Sequence, residues 1–190
     1  MATEWIQAAD EERRPAGVFA RHHIHERGLL HETFHCWLVH GEEVLLQTRS
    51  SGKKDFPGLL DISAAGHLLA GETVQDGVRE LYEELGVRVD FNSLVPLGVI
   101  KDEIRLPGFI DKEWTHVYLL EIPKETPFIL QEEEVERVEW FHLEKLQQLW
   151  AGQEIQAGGR NLKKTDIVPH EDRYMLTVFD GIQRYMALKE

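Results

Sequence analysis

The 190-residue sequence has a single cysteine, Cys36. No disulfide can form within the chain, which excludes a small scaffold stapled by bridges. Cys36 sits in the apolar run FHCWLV and reads as a packed thiol rather than a reactive one. Long apolar runs are absent, and no stretch approaches the roughly 20 residues needed to span a bilayer. The first residues, MATEWIQAADEERRP, carry acids where a secretory signal would carry a basic and then an apolar segment. The expectation is a soluble cytoplasmic protein with no membrane partner. Basic residues are also scarce, with 21 Lys and Arg against 34 Asp and Glu, a formal net charge of −13. That balance argues against a nucleic-acid partner, because duplex binding rests largely on basic groups that neutralise phosphates. It leaves room for an enzyme acting on a small phosphorylated molecule, provided a cation or a few placed Arg and Lys residues offset the field.

Hydrophobic residues make up 42% of the chain, enough for one domain with a real core over residues 1–190. There is no internal repeat and no low-complexity linker. Residues 1–32 are polar and His-rich, with a turn signal at Pro15 to Gly17. TFHCWLVH (33–40) and EVLLQTR (43–49) read as two strands joined at His40-Gly41-Glu42. SSGKKDFPGLLD reads as a loop, followed by a short strand over 62–65. Further strands are expected over 95–100, 114–122 and 138–141, with helices over 143–150 and about 172–188. Strands and helices mixed without strict alternation point to an α+β architecture, a mixed sheet with helices packed on it.

The most informative stretch is GHLLAGETVQDGVRELYEELGV, residues 66–87. Thr73 is a candidate N-cap with Asp76 in a capping-box-like position, and Gly86 supplies the stop. At about 100° per residue, Val74, Val78, Leu81 and Leu85 fall on one buried stripe. Glu80, Glu83 and Glu84 fall within roughly 100° of one another on a different face. Like charges one turn apart weaken a helix. Such a face is therefore either a plain solvated surface or an oxygen cage for a hard divalent cation such as Mg²⁺. Spacing alone favours the solvated surface.

The order of residues around the glutamates decides between these. Gly66, five residues, Glu72, then Arg79-Glu80-Leu81-x-Glu83-Glu84-x-Gly86-Val87 resembles the signature of the Nudix hydrolases. The resemblance implies a Nudix fold with a mixed sheet sandwiched between helices, its core over about 30–150 and flanked by an N-terminal extension and a C-terminal helix. It also implies metal-dependent cleavage of a diphosphate linkage. Mg²⁺, with Mn²⁺ as an alternative, would be held by Glu80, Glu83, Glu84 and the Gly66 carbonyl, with Arg79 orienting the carboxylates. One departure concerns Glu72: the family pattern has seven residues before the Arg, and here Thr73 to Val78 gives six. That puts the role of Glu72 in doubt.

Flanking segments, GLLHETFHCWLV, LLQTRSSGKKDFPGLLDISAAGH and EEEVERVEWFHLEKL, resemble a branch related to type I isopentenyl-diphosphate isomerases. In those enzymes a cysteine two residues before a His transfers a proton, and His and Glu residues bind a metal. Here the His is His67, but the cysteine position is Ala65. Allylic isomerisation needs a proton donor and an acceptor on opposite faces of the double bond. The missing cysteine therefore makes isomerisation the secondary reading and hydrolysis the primary one. A non-catalytic binding module of the same fold is the reading from another class.

Glu113 is a candidate general base, and Arg49, Lys53, Lys54 and His67 are candidates for meeting substrate. The run Glu132 to Glu134 reads as a solvated turn rather than a second source of the base. His22, His23, His25, His31 and His35 read as surface or core histidines, with a metal cluster as the alternative. The apolar stripe of the C-terminal helix can pack on the domain or make a homodimer.

Overall fold

The computed structural model describes residues 3–189. The chain opens with a hairpin, β1 (Trp5–Ala9) and β2 (Pro15–Ala20), followed by the short helix α1 (Arg21–Arg27). The sequence reading assigned no element here. The missing cue is the usual alternation, since β2 is almost wholly exposed. Pro15 is tolerated because it is the first residue of that strand, where the ladder needs no N–H from it.

The core strands follow: β3 (Leu30–His40), β4 (Glu43–Arg49), β5 (Leu60–Asp61) and β6 (Ala64–His67). A 3₁₀ turn (Asp76–Val78) leads into α2 (Arg79–Leu85). Then come β7 (Val95–Leu106) and β8 (Phe109–Glu121), a hairpin longer than its apolar ends suggest, and β9 (Val135–His142). The chain closes with α3 (Leu143–Trp150), a small hairpin of β10 (Ile155–Ala157) and β11 (Arg160–Leu162), and α4 (Asp172–Ala187).

β3 is the organiser. It pairs in parallel with β8 over Leu30↔Lys112 to Val39↔Glu121 and antiparallel with β6, β4 and β1. With neighbours on both sides it is buried along most of its length, which is why it reads as a continuous apolar run rather than a clean alternation. Its two faces serve different cores. Trp37 and Val39 join Tyr174, Met175, Val178, Phe179 and Ile182 of α4 and the apolar face of α3 in one cluster. Phe34, Cys36 and Leu38 join Leu81 and Leu85 of α2 in the other. The sheet is thus sandwiched between helices, as expected. The apolar face of α4 packs into the chain's own core, while Leu176 is exposed. Cys36 is fully buried, and burial pushes its thiol pKa well up, as a packed thiol requires.

Among the described residues, no helix is long and apolar enough to cross a membrane.

Candidate functional site

The signature stretch departs from the expected helix in its first turns. The α-helix begins only at Arg79. Before it, the Asp76 carboxylate accepts from both the N–H and the hydroxyl of Thr73 (2.7 Å each), fixing the entry turn. A 3₁₀ turn rises about 2.0 Å per residue against 1.5 Å for an α-helix. The segment Asp76–Val78 therefore covers distance with fewer residues and accommodates the one missing before Arg79. Glu72 accordingly still reaches Arg79: its carboxylate accepts from Arg79 Nε (2.8 Å) and Nη2 (3.1 Å), and from the Leu69 N–H (2.8 Å). It braces the loop and the arginine together. At the other end Gly86 adopts φ 71°, and its N–H and that of Val87 close the last turn on Tyr82 and Leu81.

The glutamates do not share one solvated face. Glu80 and Glu84 are buried, and only Glu83 is exposed. Burial, reinforced by the neighbouring Glu83 charge and opposed by Arg79, raises the Glu80 pKa to about 7. Burial and the nearby Glu80 push Glu84 well above the usual carboxylate range. Arg79 Nη1 donates to Glu80 (2.6 Å) and Glu83 (2.9 Å), and its Nη2 to the His67 carbonyl (3.0 Å). Glu84 accepts from Gln47 Nε2 (3.1 Å) and the Ala65 N–H (3.2 Å). Gly66 lets Glu80 approach closely, since a Cβ at that position would lie 2.0 Å from Glu80 Oε1 and displace the carboxylate.

These groups line a cavity of about 430 Å³ that also takes in Arg49, Lys53, His67 and Glu113, as well as Asp61, Asp111 and His170. Lys54, expected to meet substrate, is exposed and does not line it. The cavity's other Arg and Lys side chains are already engaged. Arg49 pairs with Asp61 (2.8 Å) and donates to the Asp55 carbonyl, Lys53 pairs with Glu134, and Arg21 pairs with Glu4 (3.0 Å). Glu134 therefore faces the cavity instead of belonging to a solvated turn. Glu132 and Glu133 are exposed, as that reading had them.

Of the histidines expected at the surface or in the core, three fall in the core. His25 and His31 are buried, and they converge with His67 and Asp111 so that one ligand atom from each lies within 4.8 Å of the others. Four separate elements, α1, β3, β6 and β8, contribute one residue apiece. Spacing along the chain conceals this; the available signal is that Asp111 and Glu113 alternate on β8 and share its face. The donor chemistry fits a cation. His31 Nδ1 lies 3.0 Å from the Leu29 carbonyl, which can only accept, so Nδ1 carries the proton. Burial lowers the ring's pKa, while Asp111 acts to raise it. Nε2 lies 3.4 Å from Asp111 Oδ1, and both atoms are buried without a hydrogen-bond partner. Such orphaned pairs call for a positive species between them.

A third group went unnoticed in the sequence. His170, in the loop before α4, bridges Asp102 (Nδ1, 2.6 Å) and Asp61 (Nε2, 3.2 Å), while the Glu171 N–H caps Asp102 (2.8 Å). Burial would lower its pKa, but the two carboxylates overcome that and raise it to about 10. His170 is therefore a fixed internal cation.

The fold and the cavity define an α+β protein that sets an acidic helix against a mixed sheet, and comparison with known proteins makes this specific. Residues 29–158 match the NUDIX domain model. An uncharacterized Nudix hydrolase of Clostridium acetobutylicum is 36% identical across 96% of this chain and 98% of its own length. An isopentenyl-diphosphate Delta-isomerase of Cereibacter sphaeroides is 34% identical over 64% of this chain and 69% of its own. The crystal structure of DR0079 from Deinococcus radiodurans shares the fold, with a TM-score of 0.63, 22% identity, and coverage of 92% of this chain and 98% of that one. The chain belongs to the Nudix hydrolase family.

Proposed function

We propose that this Nudix hydrolase cleaves a diphosphate linkage in a small phosphorylated substrate, a nucleoside diphosphate or a related molecule, with Mg²⁺ or Mn²⁺ as cofactor. The observation that carries this reading is the pair of buried carboxylates, Glu80 and Glu84, raised in pKa and lacking an internal cation equal to their charge. Glu80, Glu83, Glu84 and the Gly66 carbonyl would hold the cation, which when bound offsets phosphate charge and acidifies water. Arg79 keeps the carboxylates apart and oriented. Glu113 takes the proton from the attacking water as general base. Arg49, Lys53 and His67 meet the substrate. The cluster of His25, His31, His67 and Asp111 offers a second place for a cation, nitrogen-rich and suited to a transition metal. Residues 1–190 act as one unit, because the cavity draws on the N-terminal extension (Glu4, Arg21) and on the segment after the family match (Val168, His170).

The test is a screen of nucleoside di- and triphosphates, nucleotide sugars, dinucleotides and non-nucleotide diphosphates with each metal. Metal-dependent release of phosphate or of a nucleoside monophosphate is expected. Glu83→Gln should abolish nearly all of it while leaving the fold intact, and full activity in that variant would sink the model.

The histidine cluster gives the isomerase reading a specific observation. Against it stands Ala65, on the cavity wall where an isomerase would carry its cysteine. Incubation with isopentenyl diphosphate separates the two: the hydrolase reading expects no dimethylallyl diphosphate.

A further inference from the structure

A directed chain of hydrogen bonds reaches the candidate base from α4, beyond the residues of the family match. Trp37 Nε1, which can only donate, lies 3.1 Å from the Tyr174 hydroxyl oxygen. That hydroxyl has one proton of its own, and the other partner in reach is His35 Nδ1 at 2.8 Å. Trp37, Tyr174 and His35 are all buried. With Trp37 donating to Tyr174, the hydroxyl proton is satisfied only by His35 Nδ1 acting as acceptor. The His35 ring is neutral, since burial and the His170 charge lower its pKa to about 3. Its one proton must then sit on Nε2, which faces Glu113 Oε2 at 3.5 Å. The same carboxylate oxygen accepts from Thr115 Oγ1 (3.2 Å), which in turn accepts from Thr33 Oγ1 (3.1 Å).

We propose that His35 is a positioning residue, held by Tyr174 as the Nε2–H tautomer so that its N–H and the Thr115 hydroxyl fix one oxygen of Glu113 and leave the other for the reaction. This rests on the reading of Glu113 as the base. It assigns α4 a part in chemistry beyond packing. Both donors approach the same oxygen from one face of the sheet, because His35, Thr115 and Glu113 stand on neighbouring strands in the parallel β3–β8 register. Two donors on one oxygen restrain the carboxylate's rotation, which a general base must limit while water is aligned.

The test has an arm independent of activity. Long-range ¹H–¹⁵N correlation spectra of the histidine rings in the full-length protein should show His35 as a pure Nε2–H tautomer. In Tyr174→Phe the Nδ1 signal should move toward the value of an unbonded ring nitrogen. An Nδ1–H ring in the wild type overturns the proposal, whatever the kinetics. The kinetic arm uses the fastest substrate of the screen. Tyr174→Phe and His35→Asn should each lower kcat about tenfold, the scale of one lost hydrogen bond in the reacting state, with KM within about twofold. His35→Gln, whose amide N–H can stand in for Nε2–H, should retain most of kcat. Equal loss in the Gln and Asn variants, or loss carried by KM, overturns the positioning role even where one variant folds poorly. Unchanged hydrolysis in Glu113→Gln would instead remove the base assignment while leaving the tautomer measurement to stand.

Discussion

Two sets of buried acids lie at or behind the cavity wall, and the protein treats them differently. Asp61 and Asp102 flank His170, a cation the fold supplies itself, and the Asp61 carboxyl is held well below the usual range although burial acts to raise it. Glu80 and Glu84 are also buried, but Glu80 shares Arg79 with Glu72 and Glu83, Glu84 is held by Gln47 and the Ala65 N–H, and both pKa values rise. The first set is neutralised permanently and anchors the C-terminal segment to the sheet. The second is left short of positive charge. Buried charge without a partner is expensive, and the proposed function takes this deficit as the place for an external cation.

The largest test of that contrast is to neutralise one acid of the unbalanced set. Glu84→Gln should reduce metal-dependent turnover by roughly 10²–10³-fold, the range seen when one electrostatic element of a site is removed, while thermal unfolding of the metal-free protein stays the same or improves. A matching loss of stability would show that Glu84 is balanced after all. Removing the cation from the balanced set should do the reverse. His170→Leu leaves Asp102 without its cation and Asp61 with Arg49 alone, and should cost about 3 kcal/mol of folding stability by denaturant titration.

The two sets also have opposite pH signatures. His170 gains protons on folding, with its pKa raised to about 10 from 6.5. Its contribution is complete below about pH 6.5 and fades as pH rises toward 10. The stability gap between wild type and His170→Leu should shrink over that window. Glu80 is a carboxylic acid raised to about 7 from 4.5, so the folded state resists its ionisation. Metal-free protein should therefore lose stability as pH climbs from about 4.5 to 7. Adding Mg²⁺ should restore it at the upper end, and melting curves with Mg²⁺ or a chelator across this range read both effects. An unchanged slope with Mg²⁺ would place the cation elsewhere.

The histidine cluster sharpens the picture further. His31→Ala should weaken Mn²⁺ or Zn²⁺ binding by about 10–100-fold in calorimetry and leave the Mg²⁺ response of the glutamates in place. The smallest effect is expected at Lys54: Lys54→Ala should alter neither KM nor stability by more than about 0.5 kcal/mol, as for an ordinary surface position.

How much of this the chain disclosed depends on the distance over which each feature is built. The glutamate helix, its arginine and its glycine stop lie within one short stretch. Their identities, order and buried apolar stripe were therefore legible, and with them the family and the sandwich of sheet and helices. The strands of the core were legible for the same local reason, though the β7–β8 hairpin extends past its apolar ends. The N-terminal hairpin was not, because an exposed edge strand carries no alternation. Spacing alone made Glu80, Glu83 and Glu84 a shared solvated face; the walls over Glu80 and Glu84 come from β6 and Gln47, which the helix sequence does not mention.

The sequence by itself determined which chemical groups this protein brings and that three glutamates, an arginine and a glycine stop are set in helical order. The tertiary structure alone decided which of them are buried, that His25, His31, His67 and Asp111 meet, and that His170 and Tyr174 reach back to the cavity. The reason is physical. Helical neighbours are fixed by a period of 3.6 residues, whereas strand partners are fixed by register across the sheet. Desolvation and charge partners, which together set the unusual pKa values here, depend on what the rest of the fold lays over a side chain.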